Sequence, residues 1–412
     1  MPPDSNRDNA TFSRWLSIVG IGEDGVAGLG ENARRAIATA SVVFGGKRHL
    51  DLAAPLISGE ARHWSTPFDV TMSDVTTLRG QPVCVLASGD PFFFGVGATI
   101  SKVLPVEEFI SYPAPSAFSL AASRLGWPLQ DLETVSLHGR PLELIRPLLH
   151  PGRRVLALTS DSEGPAAIAQ LLCETGFGAS RVTVLEALGG DHERVRSSQA
   201  STFSLSDVSE LNVVAIEVDG AARGLSLSTG FDDGLFEHDG QITKREIRAV
   251  TLSALAPRRG ELLWDIGAGS GSIGIEWMLR HPSMRAIGIE ADPRRAARAR
   301  RNSKSLGVPG LRIVEGTAPD ALADLDAPDA IFIGGGGSDD GVLQMATERL
   351  KPGGRLVANA VTLEMEGVLL AAQARLGGDL LRLQVSRVEA VGTMQGWRPA
   401  MPVTQWTWCK DS

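Results

Sequence analysis

A glycine-rich turn at residues 264–272 constrains the fold of this chain more than any other segment. It reads Trp-Asp-Ile-Gly-Ala-Gly-Ser-Gly-Ser and joins a predicted strand, Glu261 to Ile266, to a predicted helix, Gly271 to Arg280. Glycines let such a turn adopt positive φ angles and let a ligand contact the backbone, and the start of a helix offers free N–H groups. A strand, glycine turn and helix in this order predict a Rossmann-type α/β domain.

The spacing of these glycines separates two classes of ligand. Dinucleotide sites carry G-x-G-x-x-G, whereas this turn has G-x-G-x-G, and Ser272 stands where the third dinucleotide glycine would fall. Asp265 precedes the first glycine, and its carboxylate suits an ammonium and a sulfonium group better than a pyrophosphate. Glu290, 19 residues after Gly271, closes the next predicted strand and can accept both hydroxyls of a ribose. The turn therefore predicts S-adenosylmethionine as the cofactor and disfavours an NAD-dependent oxidoreductase.

Two further segments complete this predicted cofactor site. A helix is predicted from Lys244 to Leu255, with Thr243 as its N-cap and Glu246 as the capping partner three residues on. Residues 316–318 follow another predicted strand, where an adenine ring would lie against the backbone. The predicted cofactor contacts of this region are Thr243, Asp265, Gly267, Ala268, Gly269, Ser270, Gly271, Glu290, Gly316, Thr317 and Ala318.

The 412 residues are too many for one ordinary core and predict two or three domains. Short β-branched runs alternate with helical stretches, which indicates α/β units around mostly parallel sheets. We predict a first region at 1–219, with subdomains at about 12–112 and 113–219, a linker at 220–229, and a second region at 230–412. Thr404 to Cys409 predicts an edge or antiparallel strand.

Composition excludes several classes of protein. The formal net charge of −8 argues against binding to nucleic acid through a basic face. The three cysteines are far apart in the chain, so no metal site is predicted. The chain shows neither a signal-peptide pattern nor an apolar run of about 20 residues, the length that spans a membrane. We therefore expect a cytoplasmic protein without a membrane segment.

The second region resembles a known enzyme family. Four segments carry the likeness to the decarboxylating precorrin methyltransferases of cobalamin biosynthesis: Gln241–Arg248, Trp264–Ile273, Ile331–Gly336 and Val357–Thr362. The first region resembles the tetrapyrrole methylases in Ile18–Gly22, Leu86–Pro91, Tyr112–Ser116 and Val135–Arg140. The resemblance implies a tetrapyrrole methylase fold of two α/β subdomains followed by a Rossmann-like S-adenosylmethionine-dependent methyltransferase fold.

The paired resemblance also implies an activity and a second cofactor site. A fused enzyme of this kind would methylate precorrin-6B at carbons 5 and 15 and remove the ring C acetate carboxyl as carbon dioxide. In the first region the implied S-adenosylmethionine contacts are Gly20, Gly22, Gly89, Asp90, Pro91 and Ser116. Where many relatives have a proline in the first loop, this chain has Glu23-Asp24. Related C-terminal domains form tetramers, so a homo-oligomer is expected.

The substrate of such an enzyme carries many carboxylates, which arginine and lysine would bind. The main candidates are His138, Arg140, Lys244, Arg245 and Arg387, and Lys47, Arg48 and Arg124 are further ones. His49 is interpreted as an ordinary surface or core histidine. The catalytic residues stay unassigned, because an electron-rich carbon needs alignment more than activation.

Three alternative functions remain open at this point. One is RNA methylation, although Gly334 to Gly337 stand where amino-methylating nucleic-acid enzymes carry a motif for a flipped base. Another is the same reaction on a cobalt-containing precorrin. The last is a non-catalytic scaffold that binds S-adenosylmethionine as a regulator.

Overall fold

The structure is a computed structural model that describes residues 14–65 and 68–411. The chain divides into two compact units. The first unit consists of the described residues before 143 together with 148–223, and the second of 143–147 together with those from 224 onward. The main boundary thus falls within residues 220–229. Among residues 14–65 and 68–411, none of the helices combines the length and the apolar character that crossing a bilayer requires.

The first half of unit one is built around a five-stranded sheet. Its elements are β1 (Leu16–Ile21), α1 (Glu31–Thr39), β2 (Val42–Gly45), α2 (Lys47–Ala53), β3 (Glu60–His63), α3 (Phe68–Thr77), β4 (Val83–Ser88), α4 (Gly97–Ile100) and β5 (Phe109–Tyr112). The strand order is β3-β2-β4-β1-β5, and every neighbouring pair is parallel. All loops that follow these strands therefore open at one edge of the sheet, where ligands of such folds bind.

The second half of unit one departs from the predicted pattern. Its elements are α5 (Ala117–Leu125), β6 (Glu133–Ser136), β7 (Arg154–Leu158), α6 (Gly164–Glu174), β8 (Arg181–Glu186), β9 (Arg194–Gln199) and β10 (Asn212–Glu217). The order is β6-β7-β10-β8-β9, and only β6 and β7 are parallel. The prediction of mostly parallel sheets is wrong here, because residues 187–193 between β8 and β9 are too few for a crossover helix.

Unit two contains a seven-stranded sheet with helices between its strands. Its elements are α7 (Arg245–Leu255), β11 (Leu262–Ile266), α8 (Ser272–Met278), β12 (Arg285–Glu290), α9 (Pro293–Ser305), β13 (Arg312–Glu315), β14 (Ala330–Ile333), α10 (Val342–Arg349), β15 (Arg355–Ala360), α11 (Leu363–Leu376), β16 (Asp379–Leu383), β17 (Ser386–Val391), β18 (Met394–Pro399) and β19 (Val403–Cys409). The order is β13-β12-β11-β14-β15-β19-β16, and β17 and β18 form a separate hairpin. The order reverses beside β11, which is the switch point where α/β sheets bind ligands.

One local prediction for unit two is confirmed and another is wrong. β19 is antiparallel, the second of its two predicted alternatives, and it lies between β15 and β16. The N-cap of α7 is Lys244 instead of Thr243, and it makes no side-chain cap hydrogen bond. The predicted capping box does not form, because Thr243 lies one residue before the N-cap, and Glu246 pairs with Arg387 on β17.

A buried ion pair fixes the start of unit two. Arg248 Nε donates to Glu276 Oε1 over 2.5 Å, and both side chains are fully buried. The Glu276 carboxylate also accepts the backbone N–H groups of Gly230 at 2.7 Å and Phe231 at 3.0 Å. This carboxylate therefore ties the chain that enters the unit to α7 and α8.

We expect Arg248→Met to lower the free energy of unfolding by about 3–5 kcal/mol, because Glu276 would stay buried without its counter-charge. Urea denaturation followed by tryptophan fluorescence measures this change. Arg294→Met is the control, since the Arg294 side chain is 90% exposed in its pair with Asp292 and should matter by less than about 0.5 kcal/mol. If Arg248→Met lowered the free energy of unfolding by less than about 1 kcal/mol, the buried ion pair would not have the stabilising role proposed for it.

Candidate active site

The glycine turn between β11 and α8 approaches the loop after β14. Gly267 has φ +73°, and a Cβ on it would lie 2.7 Å from the backbone nitrogen of Gly335. A side chain at residue 267 would therefore force the two loops apart. The backbone N–H groups of Gly267 and Ala268 both donate to the carbonyl of Ile289 at 3.0 Å, which fixes the turn to the end of β12.

Asp265 is the buried acid of this turn. Its side chain is 1% exposed, and Oδ2 accepts the backbone N–H of Gly274 at 3.0 Å. Burial raises the pKa of Asp265 to about 7, the charge of Glu290 adds to the rise, and the Gly274 hydrogen bond opposes it. A bound cation beside this carboxyl would favour its ionised form.

Glu290 shapes the same turn from the end of β12. Its Oε2 accepts the backbone N–H of Gly269 at 2.7 Å, and its Oε1 accepts that of Asp292 at 2.9 Å. A carboxylate offers about four acceptor positions, so each oxygen can still receive a ribose hydroxyl. The predicted ribose acid is thus held in place by backbone before any ligand arrives.

A cavity of about 710 Å³ opens beside these residues. Ten of the eleven predicted cofactor contacts of unit two line it: Thr243, Asp265, Gly267, Ala268, Gly269, Ser270, Glu290, Gly316, Thr317 and Ala318. The eleventh, Gly271, is the N-cap of α8 and lies against Ala299.

The cavity residues fit S-adenosylmethionine. The Ser270 hydroxyl is buried and has no hydrogen-bond partner among the residues that the structure describes, so a polar ligand atom would satisfy it. A Cβ on Gly269 would meet no atom closer than 4.0 Å, which leaves room for a ligand against the backbone. Two acids, Asp265 and Glu290, face the same space. Across the described residues, no cluster of three or more His, Cys, Asp and Glu side chains could hold a metal ion.

We expect the affinity of unit two for S-adenosylmethionine to fall below about pH 7, because a protonated Asp265 cannot attract the ligand's ammonium group. The loss approaches about tenfold per pH unit well below the pKa. Calorimetric titration in buffers of different protonation enthalpy should show proton release on binding at about pH 6. The Asp265→Asn variant should bind S-adenosylmethionine weakly and without this pH dependence. If the variant kept the pH profile of the unsubstituted enzyme, Asp265 would not be the group that binds the ammonium.

The same cavity holds two of the substrate candidates. Lys244 and Arg387 both line the cavity, and Arg387 forms an ion pair with Glu246, which lines it too. Arg245 lies elsewhere, with its backbone and side chain against Gly230.

Asn359, at the end of β15, also lines the cavity, and the sequence reasoning missed it. The available signal was a polar residue in the otherwise apolar run Leu356 to Ala360. It lies near the carboxyl end of β15, at the edge of the sheet where the other lining residues follow their strands.

Unit one carries a second glycine site at the ends of β1 and β4. A Cβ on Gly20 would lie 1.8 Å from the carbonyl oxygen of Gly89 and 2.8 Å from the nitrogen of Ala114. Gly89 in turn donates to the carbonyl of Ile21 at 3.2 Å and accepts from Ala114 at 3.2 Å. Three loops therefore meet by direct backbone contact, and residue 20 has no room for a side chain.

The other predicted contacts of unit one also support these loops. Asp90 Oδ1 accepts the N–H of Phe92 at 2.9 Å, and Ser116 Oγ accepts that of Ser119 at 3.1 Å as the N-cap of α5. The Pro91 carbonyl accepts the N–H of Gly97 at 2.8 Å. A Cβ on Gly22 would lie 2.8 Å from Asp24 Oδ1.

A polar cluster lies beside this site and involves one predicted residue. Arg48 pairs with Glu23 and donates to Ser88 Oγ at 2.9 Å, while His49 Nε2 lies 2.7 Å from the same hydroxyl. Burial, and then the adjacent Arg48 charge, lower the pKa of His49 to about 4, so the ring is neutral. His49, interpreted from sequence as ordinary, belongs to an ordered cluster at the strand ends.

The remaining substrate candidates of unit one have other partners. Lys47 pairs with Asp51, and Arg124 pairs with Glu193. On the loop after β6, His138 Nδ1 lies 3.2 Å from the Thr159 carbonyl, and Arg140 donates to the Ser136 carbonyl at 3.4 Å.

Two family models match the chain. Residues 16–203 match the tetrapyrrole (corrin/porphyrin) methylases, and residues 234–410 match the precorrin methyltransferase domain. A precorrin-6Y C(5,15)-methyltransferase (decarboxylating) from Sinorhizobium sp is 63% identical over 408 residues, which cover 98% of this chain and 99% of the relative. The chain belongs to this family of methyltransferases.

Two other proteins are similar to parts of this methyltransferase. A crystal structure of the C-terminal domain of precorrin-6Y C5,15-methyltransferase from Rhodobacter capsulatus is 50% identical, with a TM-score of 0.43, and covers 45% of this chain and 100% of that one. A cobalt-precorrin-6B C(15)-methyltransferase (decarboxylating) from Salmonella typhimurium is 34% identical over 166 residues, 39% of this chain and 85% of the relative.

Family membership confirms three of the predictions made from sequence. The chain has a tetrapyrrole methylase part followed by a Rossmann-like methyltransferase part. It is a decarboxylating precorrin methyltransferase, and S-adenosylmethionine is its methyl donor.

Proposed function

We propose that this enzyme methylates a precorrin at carbons 5 and 15, and that its two units divide the work. Unit one methylates carbon 5, and unit two methylates carbon 15 and releases the ring C acetate carboxyl as carbon dioxide. The presence of a separate glycine site in each unit carries this proposal. Each site has its own strand ends and its own positive-φ glycine, Gly267 in unit two and Gly89 in unit one.

The relatives support this division. The Salmonella relative, whose name contains carbon 15 methylation and decarboxylation alone, aligns over 166 residues. The precorrin methyltransferase domain matched in unit two runs from 234 to 410, a similar length. We therefore assign the carbon 15 and decarboxylation steps to unit two and carbon 5 to unit one.

The chain's own residues would position the reactants. When bound, S-adenosylmethionine supplies an electrophilic methyl group. Asp265 and Glu290 would hold the cofactor's ammonium and ribose groups, and the Gly267 turn would keep its sulfonium end against the backbone. Lys244 and Arg387, which line the same cavity, would bind substrate carboxylates. Fixed alignment of an electron-rich carbon with the methyl group supplies most of the catalysis.

Turnover with labelled S-adenosylmethionine and precorrin-6B tests this activity. The product should gain two labelled methyl groups and lose one carboxyl, as mass spectrometry would detect. The same assay with a cobalt-containing precorrin decides between the two forms of substrate. Transfer of label to tRNA, with none to either precorrin, would contradict the proposal.

We further propose that the enzyme is a cytoplasmic homo-oligomer. The β17–β18 hairpin of unit two supports self-association, because it exposes large apolar side chains. Val391 is 62% exposed, and Met394 and Trp397 are both 74% exposed. Val391 and Met394 lie opposite each other across the hairpin, and exposed apolar surface of this kind marks association sites. Light scattering should give a mass of more than one chain, and a monomer at all concentrations would contradict the proposal.

A further inference from the structure

Asn359 lines the cavity of unit two together with the predicted cofactor contacts. It lies one residue beyond Ala358, which pairs with Ile333 at the end of β14. Gly334 and Gly335, which follow Ile333, line the same cavity as Asn359. Gly335 in turn adjoins Gly267 of the cofactor turn. The Asn359 amide therefore shares a cavity with the cofactor loop, at the carboxyl edge of the sheet.

Two buried side chains hold this amide in one orientation. Asn359 Nδ2 donates to Thr251 Oγ1 at 2.9 Å, and Gln405 Nε2 donates to Asn359 Oδ1 at 2.9 Å and to Thr251 Oγ1 at 3.1 Å. Thr251 is fully buried and Gln405 is 2% exposed, whereas Asn359 reaches the cavity. Apolar side chains would fill this space without the free-energy cost of burying polar groups. A fully hydrogen-bonded polar network here therefore indicates that a donor with a fixed orientation is needed. One of the two N–H bonds of Asn359 is left for a ligand.

The Asn359 amide is neutral, whereas its neighbours Lys244 and Arg387 are charged, and this difference indicates which substrate carboxylate each would bind. Lys244 and Arg387 are cationic, and hydrogen bonds from cations to carboxylates are about twice as strong as neutral ones. Decarboxylation consumes the negative charge of the departing carboxylate, so a strong ion pair stabilises the ground state more than the transition state. A neutral amide can orient the departing group with less of this penalty.

We propose that Asn359 binds and orients the acetate carboxylate that leaves as carbon dioxide, while Lys244 and Arg387 hold carboxylates that remain. This inference rests on the proposed function of unit two. The bond between the acetate methylene and its carboxyl carbon breaks, and its electron pair enters the conjugated macrocycle. Methyl transfer adds one positive charge to the macrocycle, so the macrocycle can accept this electron pair. The methylene then takes a proton from water and becomes a methyl group, and the macrocycle, cationic again, gives a proton to the resulting hydroxide.

Substitutions of Asn359 in the full-length enzyme test this assignment. Asn359→Leu removes the donor at similar volume, and Asn359→Asp keeps an acceptor for Gln405 but presents a negative charge to the acetate. In both, carbon dioxide release should fall about 10- to 100-fold, the effect of losing one hydrogen bond to a charged group. Calorimetric affinity for S-adenosylmethionine and the rate of methyl transfer should stay within about twofold. A doubly methylated product that retains its carboxyl should therefore accumulate.

Three further variants separate orientation from folding. Thr251→Val removes the acceptor that fixes Asn359 and should lower the ratio of carbon dioxide released to methyl transferred, whereas Thr251→Ser should restore this ratio. Gln344→Leu alters an exposed amide on α10 and should leave both steps unchanged.

The outcomes distinguish this inference from the function on which it rests. Unchanged carbon dioxide release in both Asn359 variants would overturn the inference, as would an equal loss of methyl transfer and carbon dioxide release. If the unsubstituted enzyme released no carbon dioxide, the proposed function of unit two would fail, and the assignment of Asn359 with it.

Discussion

Asp265→Ala should abolish methylation at carbon 15 and the release of carbon dioxide while carbon 5 is still methylated. The substitution removes the buried charge expected to hold the cofactor's ammonium group, and it takes from Gly274 the acceptor of its N–H at 3.0 Å. Loss of a buried charge partner costs about 3–5 kcal/mol, which corresponds to roughly 100- to 1,000-fold or more in rate.

The control for this variant is Asp265→Asn, which keeps the size of the side chain and an acceptor for Gly274 but lacks the charge. It should lose most of the activity at carbon 15 while unit two keeps its thermal stability. Rates of label incorporation and carbon dioxide release, measured on the full-length enzyme, report both steps. Loss of both methylations in Asp265→Ala would indicate one shared site and contradict the division of work.

Gly20→Ala should produce the opposite defect, with no methylation at carbon 5 and continued decarboxylation. A Cβ at this position would lie 1.8 Å from the Gly89 carbonyl oxygen, far inside contact distance, so the loops after β1 and β4 must separate. We expect a loss of at least about 100-fold at carbon 5, because a displacement of about 1 Å in a reacting geometry has effects of this size.

Gly30→Ala is the matched control for Gly20→Ala, because a Cβ on Gly30 would meet no atom within 4 Å. The control should leave the rates of both units unchanged. Circular dichroism should show whether Gly20→Ala retains its secondary structure. Normal methylation at carbon 5 in Gly20→Ala would exclude this loop as the cofactor site of unit one.

The parts of the fold that sequence predicts are those with strong local patterns. The predicted strand Glu261 to Ile266 matches β11 to within one residue, because β11 is a run of buried residues in the middle of a parallel sheet. Ten predicted contacts of unit two converge on one cavity, since they follow strands whose carboxyl ends share an edge. Local sequence determines these features, so no knowledge of distant contacts is needed.

What sequence could not predict depends on pairing between distant residues. The antiparallel order of β7, β10, β8 and β9 depends on which strands pair, and strand type alone does not reveal this. Asn359 contacts Thr251, which is 108 positions away in the chain, and Gln405, which is 46 positions away. Neither partner stands out in its own segment of the sequence. Lys244 displaces Thr243 as the N-cap while Glu246 pairs with Arg387, a residue 141 positions away.

The two cofactor sites of this chain should act on different carbons of one substrate. The most direct test is nuclear magnetic resonance of the product formed with isotope-labelled methyl donor by Asp265→Ala and, separately, by Gly20→Ala. We predict labelled methyl only at carbon 5 from the first variant, and only at carbon 15, with the acetate decarboxylated, from the second. Label at both carbons from either variant, or at neither carbon from both, would contradict the account.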